Sequence, residues 1–242
     1  MTRSKPFLLM TRPEHASRRF LGQCPASNRA EVVISPLIGI EYKGALPDLS
    51  PFQGLIFTSA NGVEAYQRAQ GATGLVAHVV GQITGERARQ AGFKVATVEP
   101  NAEALVAALT SGPVHGPLLH IRGTHARGDV AMRLTQAGIE TIEAIMYDQP
   151  ELALTQAAND ALHGEIPVIA PIFSPRTAAL LAKNRIKAPL LVAAMSEAVA
   201  KPLSELHITE LRIAARPESA EMAHLVTELI ELACAKDFEP DR

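Results

Sequence analysis

The chain has 242 residues and a formal net charge of −2 at pH 7; 47% of its residues are hydrophobic and 20% are charged. This composition is too apolar for a disordered protein, and the weak net charge excludes a general attraction to nucleic acid or to an anionic membrane. Cys24 and Cys234 match no metal-binding or redox spacing, and no apolar run approaches the roughly 20 residues of a membrane span. The chain also opens without the apolar stretch of a signal peptide. We therefore expect a cytoplasmic monomer that binds neither nucleic acid nor membrane.

Short apolar runs rich in branched residues alternate along the chain with longer segments of helical periodicity. Near-continuous apolar strands are typical of parallel sheets covered on both faces, and their alternation with helices predicts doubly wound parallel sheets. The clearest helical pattern covers 217–235, where Met222, Val226 and Leu229 lie along one stripe. The predicted strands are 7–11, 32–37, 55–58, 78–81, 95–98, 118–121, 141–147, 168–174, 190–194 and 211–215.

Three short segments of the first half recur in the second half in the same order. Leu-Leu-Met-Thr-Arg at 8–12 recurs in type 110 residues later, and Ile-Phe-Thr-Ser at 56–59 recurs 116 residues later. The charged helix start at 99–103 is echoed at 216–221. The nearly constant separation predicts a duplicated unit and two similar domains.

Two extended segments with polar interruptions, 38–44 and 147–150, are the predicted linkers between these domains. Each follows a strand that closes a strand–helix–strand unit. If the chain crosses at both segments, the first α/β domain consists of 1–38 plus 149–242, and the second consists of 39–148. Two crossings make a stiffer hinge than a single one.

The sequence lacks the motifs of common cofactor and nucleophile sites. It contains no GxGxxG or GxxxxGK[ST] phosphate loop, no GxSxG nucleophile turn and no HExxH zinc helix. His115, His120 and His125 are five residues apart, but on a turn, a strand and a loop they would point in unrelated directions. We therefore expect neither a metal nor a cofactor.

Several polar residues stand where a predicted strand ends and a helix begins. Ser59 and Ser174 follow two such strands, and each is either a helix N-cap or part of a carboxylate site at the helix N-terminus. Arg12 and Arg122 end two further strands, where a guanidinium either clamps a carboxylate or pairs with a neighbouring acid. Parallel α/β sheets bind ligands at the carboxyl ends of their strands, which favours a binding edge here.

A series of short segments marks the chain from residue 8 to residue 230. They are Leu-Met-Thr-Arg-Pro at 9–13, Ser-Pro-Leu at 35–37, Phe-Thr-Ser-Ala-Asn-Gly-Val at 57–63, Val-Gly-Gln-Ile-Thr at 80–84, Ala-Gly-Phe at 91–93, Ile-Arg-Gly at 121–123, Ala-Gly-Ile at 137–139, Met-Tyr at 146–147, Phe-Ser-Pro at 173–175 and Arg-Pro at 216–217. In their order and spacing, these segments resemble the uroporphyrinogen-III synthase family. One departure lies at 196–199, where Ser-Glu-Ala-Val replaces the Gly-Pro-Thr-Thr turn of many members. Any role of the missing hydroxyl at Val199 would pass to Ser196 or to backbone amides.

The resemblance implies two flavodoxin-like domains, each a doubly wound parallel sheet, joined by a two-stranded linker with the active site in the cleft between them. It also implies a lyase of porphyrin and haem biosynthesis that works without a cofactor. The implied substrate is hydroxymethylbilane, a linear tetrapyrrole with eight carboxylates. The implied product is uroporphyrinogen III, which forms by cyclisation with inversion of ring D and loss of water.

Under this resemblance, Tyr147 is the predicted catalytic residue. A phenol with a pKa of about 10 is protonated at neutral pH and can donate to the leaving hydroxyl. The alternative is that Tyr147 only packs the linker strand. The predicted substrate contacts are Arg12, Ser59, Asn61, Gly62, Thr84, Arg122, Gly123, Ser174, Arg176 and Ser196.

Two functions of other classes stay open at this point. A hinged two-domain protein that binds a small molecule without catalysis would share the fold and the cleft. A nucleotide-dependent α/β enzyme would share the fold, although the missing phosphate loops argue against it. Formation of the type III isomer from hydroxymethylbilane distinguishes the synthase from both.

Overall fold

The computed structural model of the protein describes residues 4–126 and 128–235. The ends of the predicted first domain, 1–3 and 236–242, lie outside the described residues. Strands and helices alternate throughout, as the sequence predicts. None of the helices in the two described stretches is both long and apolar enough to span a bilayer.

The chain divides into two compact units. The first unit runs as far as Gly39 and resumes at Glu151, and the second unit is Ile40–Pro150. The predicted domain bounds near 38 and 149 fall within two residues of these positions. Each unit is built around its own sheet. Predicted site residues lie at strand ends of both sheets.

All the predicted strands are present, with ends that shift by a few residues, and one short strand (Glu41–Tyr42) was not predicted. The strands are β1 Phe7–Met10, β2 Glu31–Ile34, β3 Glu41–Tyr42, β4 Gly54–Phe57, β5 Val76–Val80, β6 Lys94–Glu99, β7 Leu118–Gly123, β8 Thr141–Asp148, β9 Val168–Ile172, β10 Leu190–Ala194 and β11 Glu210–Ile213. The helices are α1 Glu14–Leu21, α2 Ala60–Arg68, α3 Gln82–Gln90, α4 Ala102–Ser111, α5 Val130–Gln136, α6 Gln156–His163, α7 Pro175–Ala182, α8 Glu197–Ala200 and α9 Ser219–Cys234.

The first unit contains a parallel sheet in the order β11-β10-β9-β1-β2. Counted along the unit, this is the 2-1-3-4-5 order of flavodoxin-like folds. Alternate strand residues face two cores: Leu9 packs on the side of α6, α7 and α8, and Leu8 packs on the side of α1 and α9. Both side chains are fully buried, and each such burial contributes about 1.5–3 kcal/mol.

The second unit contains the sheet β3-β8-β7-β4-β5-β6, in which β3 is antiparallel to β8 and the other pairs are parallel. Here too alternate residues face opposite cores. Phe57 packs on the side of α2 and α3, whereas Ile56 packs on the side of α4 and α5. Helices on both faces explain why the parallel strands are apolar along nearly their whole length.

The echoed segments occupy equivalent positions in the two sheets. The three echoes pair β1 with β7, β9 with β4, and β11 with β6, and the orders β2-β1-β9-β10-β11 and β8-β7-β4-β5-β6 then match strand for strand. One repeat supplies β1, β2, β4, β5 and β6, and the other supplies β7 to β11. Each unit therefore combines the first two strands of one repeat with the last three strands of the other, in agreement with the predicted duplication.

The predicted linker segments carry strand hydrogen bonds. Glu41 and Tyr42 pair with Asp148 and Tyr147, and the Lys43 amide donates to the Met146 carbonyl at 2.9 Å. β3 is thus the edge strand of the second sheet, and parts of both predicted linker segments belong to that sheet. A two-residue strand is too short to show any periodicity in the sequence, which is why the pattern did not predict it.

Candidate functional site

The polar residues singled out in the sequence lie at the carboxyl ends of parallel strands in both units. In the first unit Arg12 follows β1, Ser174 follows β9 and Ser196 follows β10, three consecutive strands of the sheet. In the second unit Ser59 follows β4 and Gly123 ends β7, again neighbouring strands. The strand order reverses between β1 and β9 and between β7 and β4, and open α/β sheets bind ligands at such points.

Arg12 is held by an aromatic ring. Its guanidinium carbon lies 4.2 Å from the centroid of the Phe173 ring, and Phe20 packs edge-on against Phe173 at a centroid distance of 5.0 Å. Burial, and secondarily the nearby charge of Arg19, lowers the pKa of Arg12 from its ordinary value. Within residues 4–126 and 128–235 no carboxylate pairs with Arg12, so its charge is uncompensated there.

The other predicted contacts of the first unit lie at helix starts. The Ser174 hydroxyl caps α7 by accepting from the Thr177 amide at 3.2 Å. Ser196 is the N-cap of α8 but makes no side-chain cap bond. Val199 is 3% exposed and packs in the core, so this position faces away from solvent. Arg176 lies half-buried in the first turn of α7.

Tyr147 is the last residue but one of β8 and lies opposite Gly123, the last residue of β7. It is 5% exposed and belongs to the core of the second unit. Its ring covers Gly123, where an added Cβ would lie 2.5 Å from Cε2 of the ring. Burial raises the pKa of Tyr147, while hydrogen bonds to the Ser59 side chain and the Gly123 backbone and the charge of Arg122 oppose that rise. The phenol is therefore protonated at neutral pH.

The turn after β4 combines capping with close packing. The Ser59 hydroxyl accepts from the Asn61 amide at 3.2 Å, and the Gly62 amide donates to the Ser59 carbonyl at 2.9 Å. A Cβ at Gly62 would lie 2.9 Å from the Ile121 carbonyl oxygen, so glycine lets α2 approach β7. Thr84 is buried in the first turn of α3. Ser59 and Asn61 are half-buried, whereas Gly62 and Thr84 have packing roles.

Arg122 is fixed by a local network. Its guanidinium donates to the carbonyls of Gly123 and Thr124 at 3.0 and 3.2 Å and to the Glu143 carboxylate at 2.8 Å. This is the neighbouring-acid alternative that the sequence left open. Any other carboxylate would have to compete with Glu143 for this arginine.

A cavity of about 650 Å³ lies beside this pair, between β7, β8 and α5. His120 lines it and is 1% exposed. The His120 Nε2 lies 3.2 Å from the Thr58 hydroxyl, whereas Nδ1 has no hydrogen-bond partner among the described residues and lies 3.8 Å from Glu143. Burial, with the charge of Arg122, lowers the pKa of His120 to about 4. The described parts of the chain contain no group of three or more residues that could hold a metal ion.

A model of the family described as uroporphyrinogen-III synthase HemD matches residues 25–224. The chain belongs to the uroporphyrinogen-III synthase family. The uroporphyrinogen-III synthase of Chlorobaculum parvum (strain DSM 263 / NCIMB 8327) is 27% identical over 188 residues, which cover 71% of this chain and 76% of that protein. Membership identifies a lyase of tetrapyrrole synthesis and does not favour binding without catalysis.

Two solved structures share the fold. The uroporphyrinogen-III synthetase of Helicobacter pylori 26695 gives a TM-score of 0.68 at 17% identity and covers 93% of this chain and 99% of its own. A mutant uroporphyrinogen III synthase of the extremely thermophilic bacterium Thermus thermophilus gives 0.54 at 10% identity, with coverage of 93% and 98%. At these identities the likeness concerns the fold alone, and it confirms the predicted α/β class with parallel sheets.

In this uroporphyrinogen-III synthase family member, sequence reasoning missed the partners of both strand-end arginines. Phe173 belongs to the second echo and to a resembling segment but was not predicted to contact Arg12, and Glu143 was not singled out at all. No local signal marked Phe173 as a partner, because its contact with Arg12 depends on β1 and β9 being neighbours in the sheet. Glu143 lies across the strand pair β7–β8, and a single sequence without its register does not reveal such a neighbour.

Proposed function

We propose that the protein is a uroporphyrinogen-III synthase, a hydro-lyase that cyclises hydroxymethylbilane to uroporphyrinogen III with inversion of ring D. The observation that carries this proposal is the family match across 25–224. The reaction sets two tasks for the protein. The leaving hydroxyl must be protonated, and the two ends of the linear tetrapyrrole must meet at the substituted carbon of ring D before the non-inverted ring closes spontaneously.

Tyr147 is the proposed general acid. Loss of the hydroxyl leaves a reactive azafulvene, and a positioned acid that protonates the leaving group contributes roughly 10²–10⁴-fold to such a step. Burial raises the pKa of Tyr147, which keeps the phenol protonated at neutral pH but also makes it a weaker acid. The Ser59 side chain, the Gly123 backbone and the charge of Arg122 support the role, because they oppose that rise in pKa and so favour release of the proton.

Orientation is the second proposed contribution. Arg12 is the strongest candidate contact for a substrate carboxylate, because it is charged, half-buried and without an acidic partner in the described residues. Dispersed hydroxyl, amide and guanidinium donors would hold the remaining carboxylates. Positioning of this kind can lower a barrier by about 7–11 kcal/mol in the best intramolecular cases. The other proposed contacts are Ser59, Asn61, Gly62, Thr84, Arg122, Gly123, Ser174, Arg176 and Ser196.

The test is the turnover of Tyr147→Phe, with Tyr66→Phe as the matched control. Tyr66 is fully buried in the same core and donates its hydroxyl proton to the Ala72 carbonyl at 2.8 Å. Both variants lose one buried hydroxyl, but only Tyr147→Phe should lower kcat, by about 10²-fold. Wild-type turnover in Tyr147→Phe, with the type III product intact, would assign Tyr147 to packing alone.

We propose further that the protein acts as a cytoplasmic monomer, binds no nucleic acid and has domain bounds near 38 and 149. The net charge of −2 supports the absence of nucleic-acid binding. The division of the described chain at 39 and 151 supports the domain bounds. Light scattering after size-exclusion chromatography tests the oligomeric state, and a mass of twice 25.8 kDa would contradict the monomer.

A further inference from the structure

The two strand-end arginines occupy equivalent positions but have different partners. Arg12 and Arg122 each end the first echoed segment, after β1 and within β7. Arg122 makes three hydrogen bonds, one of them to the carboxylate of Glu143. For Arg12 the described residues provide a ring face instead of an acid. The difference therefore arises in the residues around each arginine.

Strand register shows which residue makes the difference. In the second unit Glu143 lies opposite His120, two residues before Arg122. In the first unit the residue opposite Met10, two residues before Arg12, is Ile34. Ile34 thus occupies, in the first unit, the position of Glu143 in the second unit, where Glu143 neutralises Arg122. The half-buried Ile34 side chain can neither pair with Arg12 nor compete with an incoming carboxylate.

The aromatic partner also differs between the units. Strand register makes Thr58 the counterpart of Phe173 in the second unit. Thr58 offers a hydroxyl, which lies 3.2 Å from Nε2 of His120. Phe173 instead presents its face to Arg12, and the edge-on contact with Phe20, at an interplanar angle of 78°, fixes the plane of its ring.

A ring face holds a guanidinium without neutralising it. The attraction between the cation and the ring quadrupole uses no N–H donor, so the planar fork of an arginine stays available for a bidentate bond to a carboxylate. An acidic partner would hold the guanidinium as firmly but would occupy that fork. The burial that lowers the pKa of Arg12 leaves it charged at neutral pH.

We propose that Phe173 is a positioning residue, which holds Arg12 as an uncompensated cation for a carboxylate of the substrate, and that Ile34 keeps a competing acid away. This inference rests on the proposed function, since it takes Arg12 to be a contact for a polycarboxylate tetrapyrrole. Phe173 acts through Arg12 and not on the reacting atoms. Its loss should therefore weaken binding of the substrate and leave the chemical step intact.

The first experiment measures KM and kcat for Phe173→Leu and Phe173→Tyr. Phe173→Leu removes the ring face and should raise KM about 5-fold with kcat unchanged, whereas Phe173→Tyr should restore the wild-type KM. The matched control is Phe93→Leu, which removes an aromatic contact in the core of the second unit without touching an arginine. Phe93→Leu should lower the melting temperature but leave KM unchanged.

The second experiment installs the acid that the first unit lacks. Ile34→Glu places a carboxylate at the position equivalent to Glu143 and should raise KM about 10-fold by occupying Arg12. Ile34→Gln, of the same shape but uncharged, should raise KM less. This arm leaves the Phe173 ring in place, so it decides the question even if Phe173→Leu does not fold.

Combination with Arg12→Ala separates the failure of this inference from that of the proposed function. In the Arg12→Ala background, Phe173→Leu should raise KM no further. A rise in KM with Arg12→Ala but not with Phe173→Leu or Ile34→Glu would overturn the positioning role while the substrate contact stands. An unchanged KM in Arg12→Ala, with type III product still formed, would overturn both the contact and the inference but not the synthase activity.

Discussion

Replacement of Gly123 by alanine tests the geometry around Tyr147 without removing any functional group. The added Cβ would lie 2.5 Å from Cε2, 2.7 Å from Cζ and 3.0 Å from Cδ2 of the Tyr147 ring. Carbon atoms in contact are about 3.5–4.0 Å apart, so the ring must move by roughly 1 Å. The φ of Gly123 is one that alanine adopts without strain, which leaves the contact with the ring as the cause of any effect.

The expected result is a loss of turnover that exceeds the loss of stability. A displacement of about 1 Å of a positioned group can cost about 10²-fold in rate, whereas overpacking costs about 1–3 kcal/mol of unfolding free energy. The matched control is Gly74→Ala, because a Cβ at Gly74 has no neighbour within 4 Å. The assay compares kcat from chromatography of the oxidised porphyrin isomers with the unfolding free energy from urea titration.

The double variant of Gly123→Ala and Tyr147→Phe tests whether the alanine acts through the tyrosine. If Gly123→Ala acts by moving the Tyr147 hydroxyl, it should add little to the loss of turnover in Tyr147→Phe. A Gly123→Ala variant that keeps the wild-type kcat would refute the claim that the position of this ring matters for catalysis.

Three further predictions concern charge and cofactors. The free energy of unfolding should fall as the pH drops from 6.5 to about 4, because His120 is protonated in the unfolded chain but stays neutral in the folded one. His120 should account for at most about 3 kcal/mol of this fall. Urea titrations should therefore show a shallower fall for His120→Gln. An identical pH dependence in both proteins would contradict this assignment. Arg12→Ala should raise KM roughly 10-fold or more, and Arg122→Ala should raise it less because Glu143 already occupies that guanidinium; equal effects would show that the ion pair opens for substrate. Turnover should survive exhaustive dialysis against a chelator, and activity that returns only with added zinc or magnesium would contradict the expected absence of a metal.

Much of the fold could be predicted because its signals are local. Parallel strands buried on both faces are continuous apolar runs, and the strand Leu190–Ala194 was predicted to the residue. The echoes even paired strands that hold equivalent places in the two sheets. What the repeats alone could not show is that each unit combines strands from both repeats, because strand order is a long-range property. β3 was missed because two residues carry no periodicity.

The candidate site was less predictable, for a physical reason. Strand ends with Arg, Ser and Gly could be read from the sequence, since a polar residue after an apolar strand stands out. The state of each group depends on neighbours from other strands: Glu143 pairs with Arg122, Ile34 occupies the equivalent position near Arg12, and Gly123 makes room for Tyr147. Those contacts depend on sheet register and on rotamers, which one sequence does not encode in any local pattern.

The central claim is that this protein directs the closure of hydroxymethylbilane toward the inverted ring. The most direct measurement is the isomer ratio of the oxidised products after freshly prepared hydroxymethylbilane has reacted with an excess of the dialysed protein. We predict that the type III isomer dominates, with the type I isomer reduced to the share that forms before the substrate binds. A product that is type I alone, as in the spontaneous reaction without protein, would contradict the proposed function.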